Sequence, residues 1–157
     1  MYQHILVPLD GSRNAEVALQ EALELAQKYG SELFVASIVD EQHFVAYGYG
    51  MTVPMDFYSD MKDRSQQILA EAEKRASALG IKTTTILANG NPKKAIAEEL
   101  PEKYDIDLIV MGKSGVDALS RIMLGSTTSY VVHHSTTKVL VVNDEDDDTE
   151  DDVTEEE

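Results

Sequence analysis

Five short β-rich runs recur along this chain, and each of the first four is followed by a segment with helical spacing or helix-start signals. Ile5 to Pro8 is a short apolar run that ends in Asp10-Gly11-Ser12, after which Ala15, Ala18, Ala22, Leu25 and Tyr29 recur at helical spacing up to Gly30. Leu33 to Val39 is β-rich and unbroken, as expected of a strand covered on both faces of a parallel sheet. From Ser59, the positions Met61, Ser65, Ile68, Ala72, Ala76 and Leu79 mark one helical face, with Gly80 as its stop. Thr83 to Leu87 is the third strand. Asn91-Pro92 then gives an N-cap followed by proline at the first helical position, which predicts a short helix to about Lys103. Asp107 to Met111 is the fourth strand, a helix is predicted from about Thr127 to His134, and Val139 to Val142 is the fifth strand. Strands that alternate with helices pair in parallel through right-handed crossovers. The predicted class is therefore α/β, a doubly wound, Rossmann-like five-stranded parallel sheet with helices on both faces, whose ligand site lies beyond the strand C-termini where the winding direction switches.

A length of 157 residues fits one domain. The net charge of -16 is concentrated at the end: residues 144–157 hold eleven acids and no base, which leaves -5 for residues 1–143. A run of that composition buries almost nothing and repels itself, so the expected organisation is a folded domain over 1–143 and an acidic disordered tail over 144–157, read as a solubility tail ahead of a regulatory one. A nucleic-acid partner is not expected, because a phosphate backbone is held by clustered Lys and Arg. There are no cysteines, which excludes disulfides and thiolate chemistry and fits a reducing compartment. The N-terminus opens directly on a strand-like run and no apolar segment approaches membrane-spanning length, so the expected location is cytoplasmic.

The chemistry-bearing pattern follows the fourth strand. Gly112-Lys113-Ser114-Gly115 is separated by nine residues from Gly125-Ser126-Thr127-Thr128 at a predicted helix start. Glycines let backbone approach an anion closely, and amides and hydroxyls at a helix N-terminus offer donors and a partial positive charge to phosphate. Either glycine pair alone reads equally as turn residues and a helix cap. Gly112-Lys113-Ser114 does not close a P-loop, since Asp107 stands where that motif requires its first glycine. Lys113 could reach a phosphate as a point charge or stay solvated. Asp10, at the end of the first strand, either holds a divalent ion bridging to phosphates or caps the following turn. His4, His43, His133 and His134 show no metal-ligand spacing and no residue is assigned a catalytic role. The aromatic excursion over 40–58, with Phe44, Tyr47, Tyr49, Phe57 and Tyr58, is expected to pack over the sheet edge, with a lid or partner surface as the alternative.

The spacing Gly112-x-x-Gly115, nine residues, Gly125-Ser126 resembles the G-2x-G-9x-G(S/T) signature of ATP-binding universal stress proteins. Ile5 to Ser12 is similar to that family's first strand and turn, Arg121 to Ser126 to its loop, and Lys138 to Val142 to its last strand, so the likeness spans residues 1 to about 143. The resemblance implies strand order 3-2-1-4-5 and an adenine nucleotide between the first and fourth strands. It further implies that Pro8, Leu9 and Asp10 line the nucleoside pocket, that backbone at Val39 meets the adenine, and that Met111 and Gly112 border ribose and phosphates. Gly115 and Gly125 to Thr128 would hold the phosphate chain, with Mg²⁺ or Mn²⁺ accompanying the ATP at Asp10. A homodimer through strand 139–142 is implied as well. The function expected is a dimeric, nucleotide-binding stress sensor or switch; the alternatives are a slow ATPase or nucleotidyl transferase, and a nucleotide-free structural or chaperone-like dimer.

Overall fold

The computed structural model describes residues 1–40, 55–113 and 123–144. The elements in chain order are β1 (His4–Pro8), α1 (Arg13–Tyr29), β2 (Glu32–Val39), α2 (Met55–Ala78) and β3 (Thr83–Asn89). A continuous helical segment, here α3, follows as Pro92–Lys94, a π-helical stretch Ala95–Glu99, and Leu100–Tyr104. The chain then gives β4 (Leu108–Gly112), α4 (Ser126–His134) and β5 (Lys138–Val142). The strands form one sheet in the order β3-β2-β1-β4-β5, and every pairing is parallel. The class and strand order anticipated from the sequence are those observed.

Alternate residues of the central strands feed two cores, as a period of two requires. Ile5, Val7, Leu33, Val35, Leu108 and Val110 pack with α1 and α2 on one face. Leu6, Phe34, Ala36, Ile109 and Met111 pack with α3 and α4 on the other. Each large aliphatic side chain buried in this way is worth about 1.5–3 kcal/mol relative to exposure, so the two layers hold the sheet from both sides. The stripe of α1 runs through Ala15, Ala18, Leu19, Ala22, Leu23 and Ala26, and Leu25 only flanks it. On α2, Leu69 joins Ala72 and Ala76 in the core, whereas Leu79 lies past the helix end at Ala78 and is exposed. That helix begins at Met55, four residues earlier than its spacing predicts, so Phe57 and Tyr58 belong to it rather than to a loop.

The ends of α1 follow from local chemistry. Ser12 caps it, its hydroxyl accepting the Ala15 N–H at 3.2 Å, and Gly30 ends it in the left-handed region at φ 69°. Within α3, Pro101 has no N–H to donate to the preceding turn; a π-turn absorbs this, the Leu100 N–H reaching back to the Ala95 carbonyl. Arg75 of α2 binds Glu16 and Gln20 of α1, which fixes the two helices on their shared face.

Candidate functional site

The winding switches between β1 and β4, and there the sheet is held by a short ladder. Residue pairs Ile5–Leu108 and Leu6–Ile109 are in register between β1 and β4, while β1 with β2 runs on to Pro8–Ala36 and β4 with β5 runs to Gly112–Val142. Pro8 explains why. The His4 carbonyl accepts from Asp107 on the β4 side and the Leu9 N–H donates to Ala36 on the β2 side. Alternation along the strand therefore aims the backbone groups of Pro8 at β4, where proline has no N–H to give. Its carbonyl points into the same gap, and the two strands part above Leu6 and Ile109.

The gap is floored by a close backbone approach. A Cβ on Gly112 would sit 2.4 Å from the Asn14 carbonyl oxygen and 2.6 Å from its carbon, so the end of β4 lies directly against the first turn of α1. On the other side, the buried Thr128 hydroxyl donates to the Gly112 carbonyl at 2.9 Å, and the Gly125 N–H donates to the Lys113 carbonyl at 2.9 Å. The Lys113 N–H in turn donates to Val142 at 3.1 Å. These bonds seat the N-terminus of α4 over the end of β4.

That N-terminus is built to face something polar. Ser129 N–H to Gly125 carbonyl, at 2.8 Å, is the first bond inside the helix, which leaves the amides of Ser126, Thr127 and Thr128 without acceptors in their own helix. Gly125 stands at the cap with φ -58° and ψ 156° and no side-chain cap bond. Any residue adopts that conformation, and Ser or Asn there would satisfy one of the amides. A glycine supplies no side-chain acceptor to those amides, which stand at the partial positive charge of the helix end.

The other expected site residues fall around this opening in different ways. Leu9 is buried and extends the β1–β2 pairing, Met111 is buried at the end of β4, and Val39 is buried with its carbonyl accepting the Gly90 N–H at 3.0 Å. Asp10 is exposed, and one of its oxygens accepts the Ser12 N–H at 2.9 Å, so it caps the turn before α1. Gly115 lies outside the described residues. His133 and His134 engage the Ser129 and Tyr130 carbonyls of their own helix, and among the described residues no group of three metal-ligating side chains occurs. No helix among those residues is long and apolar enough to cross a membrane.

The family model described as "Universal stress protein family" matches residues 1–143. The chain belongs to the universal stress protein family. Universal stress protein MJ0531 of Methanocaldococcus jannaschii is 34% identical over 132 residues, covering 83% of this chain and 76% of that protein. Among solved structures, universal stress protein UspA from Lactobacillus plantarum superposes with a TM-score of 0.77 at 28% identity, over 90% of this chain and 97% of that one. A universal stress protein solved in complex with cAMP superposes with a TM-score of 0.68 at 28% identity, over 90% and 97%.

In this universal stress protein, two features of the site give no signal in the sequence. The resemblance sets Pro8 on the pocket wall, but its part in ending the β1–β4 ladder emerges only from the pairing pattern. The second is Arg13: its guanidinium, in the first turn of α1, meets the carboxylate of Asp144 just beyond β5. Residues 131 positions apart in sequence carry no periodicity that would pair them.

Proposed function

We propose that this universal stress protein binds an adenine nucleotide, ATP together with Mg²⁺ or Mn²⁺, in the gap between β1 and β4, and serves as a cytoplasmic, homodimeric stress-response sensor or switch. The observation that carries the reading is the glycine-capped N-terminus of α4 standing over the point where β1 and β4 part, with three amides lacking helical acceptors. A phosphate chain suits such donors and the helix-end charge. Gly112, Lys113, Gly115 and Gly125 to Thr128 take the phosphates in this reading; Pro8, Leu9, Asp10, Val39 and Met111 take the nucleoside. The universal stress protein crystallised with cAMP lends support from a relative of similar fold.

The donor set fits a metal–nucleotide complex rather than a resident ion. Asp10 is a single carboxylate with one oxygen already accepting from Ser12, and a divalent ion commonly takes six oxygens or more, so the remaining ligands would come from phosphate and water. The metal would neutralise phosphate charge beside an acidic protein. β5 is an edge strand whose Val139 to Val142 are only partly buried, which supports pairing of two copies along it.

The test is to purify the protein without added nucleotide, release bound ligand with acid, identify it by mass spectrometry, and titrate the emptied protein with ATP and Mg²⁺ by calorimetry. Co-purified adenine nucleotide or saturable heat is the expected result. Neither ligand nor heat would refute the reading, and sustained phosphate release would replace the switch with an ATPase.

A further inference from the structure

Among the described residues the buried polar side chains are Ser31, Ser37 and Thr128. The Ser31 hydroxyl donates to the Tyr2 carbonyl and that of Thr128 to the Gly112 carbonyl. Ser37 is 3% exposed, and among the described residues its hydroxyl has no hydrogen-bond partner. It is not sealed off either, because no buried side-chain oxygen or nitrogen among those residues lacks a partner; the sliver of exposed surface therefore includes the hydroxyl. A nearly buried hydroxyl left open in this way calls for an occupant. Its position follows from the strand pairing. The Leu9 N–H donates to the Ala36 carbonyl, which carries the β1–β2 register one residue beyond Pro8–Ala36 and sets Ser37 beside Leu9. Alternation puts Ser37 on the face of Leu33 and Val35, the face covered by α1 and α2, and its β3 partner Leu87 packs on that same core. Ile68 of α2 packs there too, and its Cδ1 is 3.2 Å from where a Cβ on Gly11 would stand. One turn earlier on α2, Arg64 brings Nη2 and Nε to 3.5 Å and 4.0 Å from the same point. This guanidinium is exposed and has no ion pair or hydrogen bond among the described residues.

We propose that Ser37 and Arg64 form a small-oxyanion site on the α2 side of the turn joining β1 to α1, with the hydroxyl at its floor and the guanidinium at its mouth. A guanidinium presents a planar fork of donors that matches phosphate and carboxylate, and a hydroxyl adds a donor for a further oxygen. A side chain at Gly11 would meet both Ile68 and Arg64, so the bare turn is what lets the guanidinium lie there. Asp10 in the same turn, and Asp60 and Asp63 on the helix that carries Arg64, work against an anion. The affinity expected is therefore modest, on the order of millimolar. The site is separate from the gap between β1 and β4 and does not rest on the nucleotide reading. An oxyanion held there would bridge β2, α2 and the turn that carries Asp10.

The experiment follows the backbone amides of the full-length protein by two-dimensional NMR while inorganic phosphate, and separately acetate, is added at an ionic strength held constant with chloride. Arg64→Gln, Arg64→Lys and Ser37→Ala are titrated alongside, with melting curves as the check on folding. Saturable shifts centred on Gly11, Ser37 and Arg64 are expected. Arg64→Gln should weaken binding about tenfold, the effect of losing a charge-assisted hydrogen bond, and Ser37→Ala about threefold. Arg64→Lys should fall between wild type and Arg64→Gln, since an ammonium keeps the charge but not the fork. Phosphate should also raise the Tm of wild type more than that of Arg64→Gln, a difference that the general stabilising effect of phosphate salts, common to both, does not produce. Phosphate binding tighter than acetate would assign the site to a phosphate-bearing ligand and the reverse to a carboxylate; both support it. Shifts confined to the amides of Ser126 to Thr128 would put the anion at the gap and overturn this site while supporting the other. Equal affinity in wild type, Arg64→Gln and Ser37→Ala, or no saturable shift with either anion, would leave water as the occupant at Ser37 and overturn the proposal.

Discussion

The tightest contact at the gap makes a quantitative test. Replacing Gly112 by Ala places a methyl group 2.4 Å from the Asn14 oxygen, 2.6 Å from its carbon and 2.7 Å from its Cβ, all well inside van der Waals contact. Two of the three obstacles are backbone atoms in the first turn of α1, so no rotamer change relieves them. Overpacking of this kind costs about 3 kcal/mol at the upper end of its usual range. Removing a glycine also stiffens the unfolded chain, which favours the folded state by about 0.4–1 kcal/mol. The clash outweighs that gain, and a net loss of about 2 kcal/mol follows. For a domain of this size that lowers the melting temperature by about 6 °C. With a urea slope of about 2 kcal/mol/M, it lowers the unfolding midpoint by about 1 M. The assay is urea unfolding followed by circular dichroism, with Asn14→Gly and the double variant completing a cycle. Because Asn14→Gly removes only the Cβ obstacle, the double variant should regain little of the loss. An unchanged or raised midpoint in Gly112→Ala, or full rescue in the double variant, would refute the claim that backbone approach is what requires glycine here.

Three other outcomes are expected. Gly125→Val and Gly115→Val should each abolish ATP retention with little loss of urea stability, since Gly125 has a conformation any residue adopts; unchanged ATP affinity in both would remove the phosphates from this helix end. Thr128→Val should destabilise by about 1–2 kcal/mol, because it removes the buried donor to the Gly112 carbonyl; a stability equal to wild type would show that bond to be dispensable. At the opposite edge of the sheet, the hydrogen bond from Lys82 to Glu32, at 2.8 Å, is the main cause holding that carboxyl below its usual range, against some desolvation and with help from Thr84. A depressed carboxyl stabilises the fold above its unfolded pKa and loses that effect as pH falls through the folded one. Lys82→Met should accordingly be less stable than wild type near neutrality, and the two should converge as pH falls through the folded pKa of Glu32; a gap that persists in strong acid would assign the loss to something other than Glu32.

The parallel α/β class, the layering of helices and the position of α4 were legible because they rest on periodicity and on Gly and Pro punctuation, which are local signals; the strand order came from the resemblance to universal stress proteins. The details that shape the site were not local. Gly112 reads in sequence as a glycine kept bare for an anion, and the structure supplies an independent reason in the backbone of Asn14, nearly a hundred residues away. Asp10 offers two readings, a turn cap or a ligand-facing carboxylate; the structure shows the cap. On α2 spacing alone puts Leu79 on the buried face, but the helix ends first and the next residue, Gly80, turns at φ 71°. The excursion 41–54, with Phe44, Tyr47 and Tyr49, lies outside the described residues, as does the tail from 145 onward.

The brief ladder between β1 and β4 also bears on how the molecule opens. β1, β2 and β3 are consecutive strands with long mutual pairings, and β4 with β5 forms a second consecutive pair. The two groups share few backbone bonds, so side-chain packing in the two cores carries most of their union. In hydrogen exchange this should divide the sheet into two cooperative units, with amides along the seam exchanging through a smaller opening than those at the centre of β2. A molecule bound across the seam would join the two units, and the slowing of exchange on both sides would register its presence even where it touches only one.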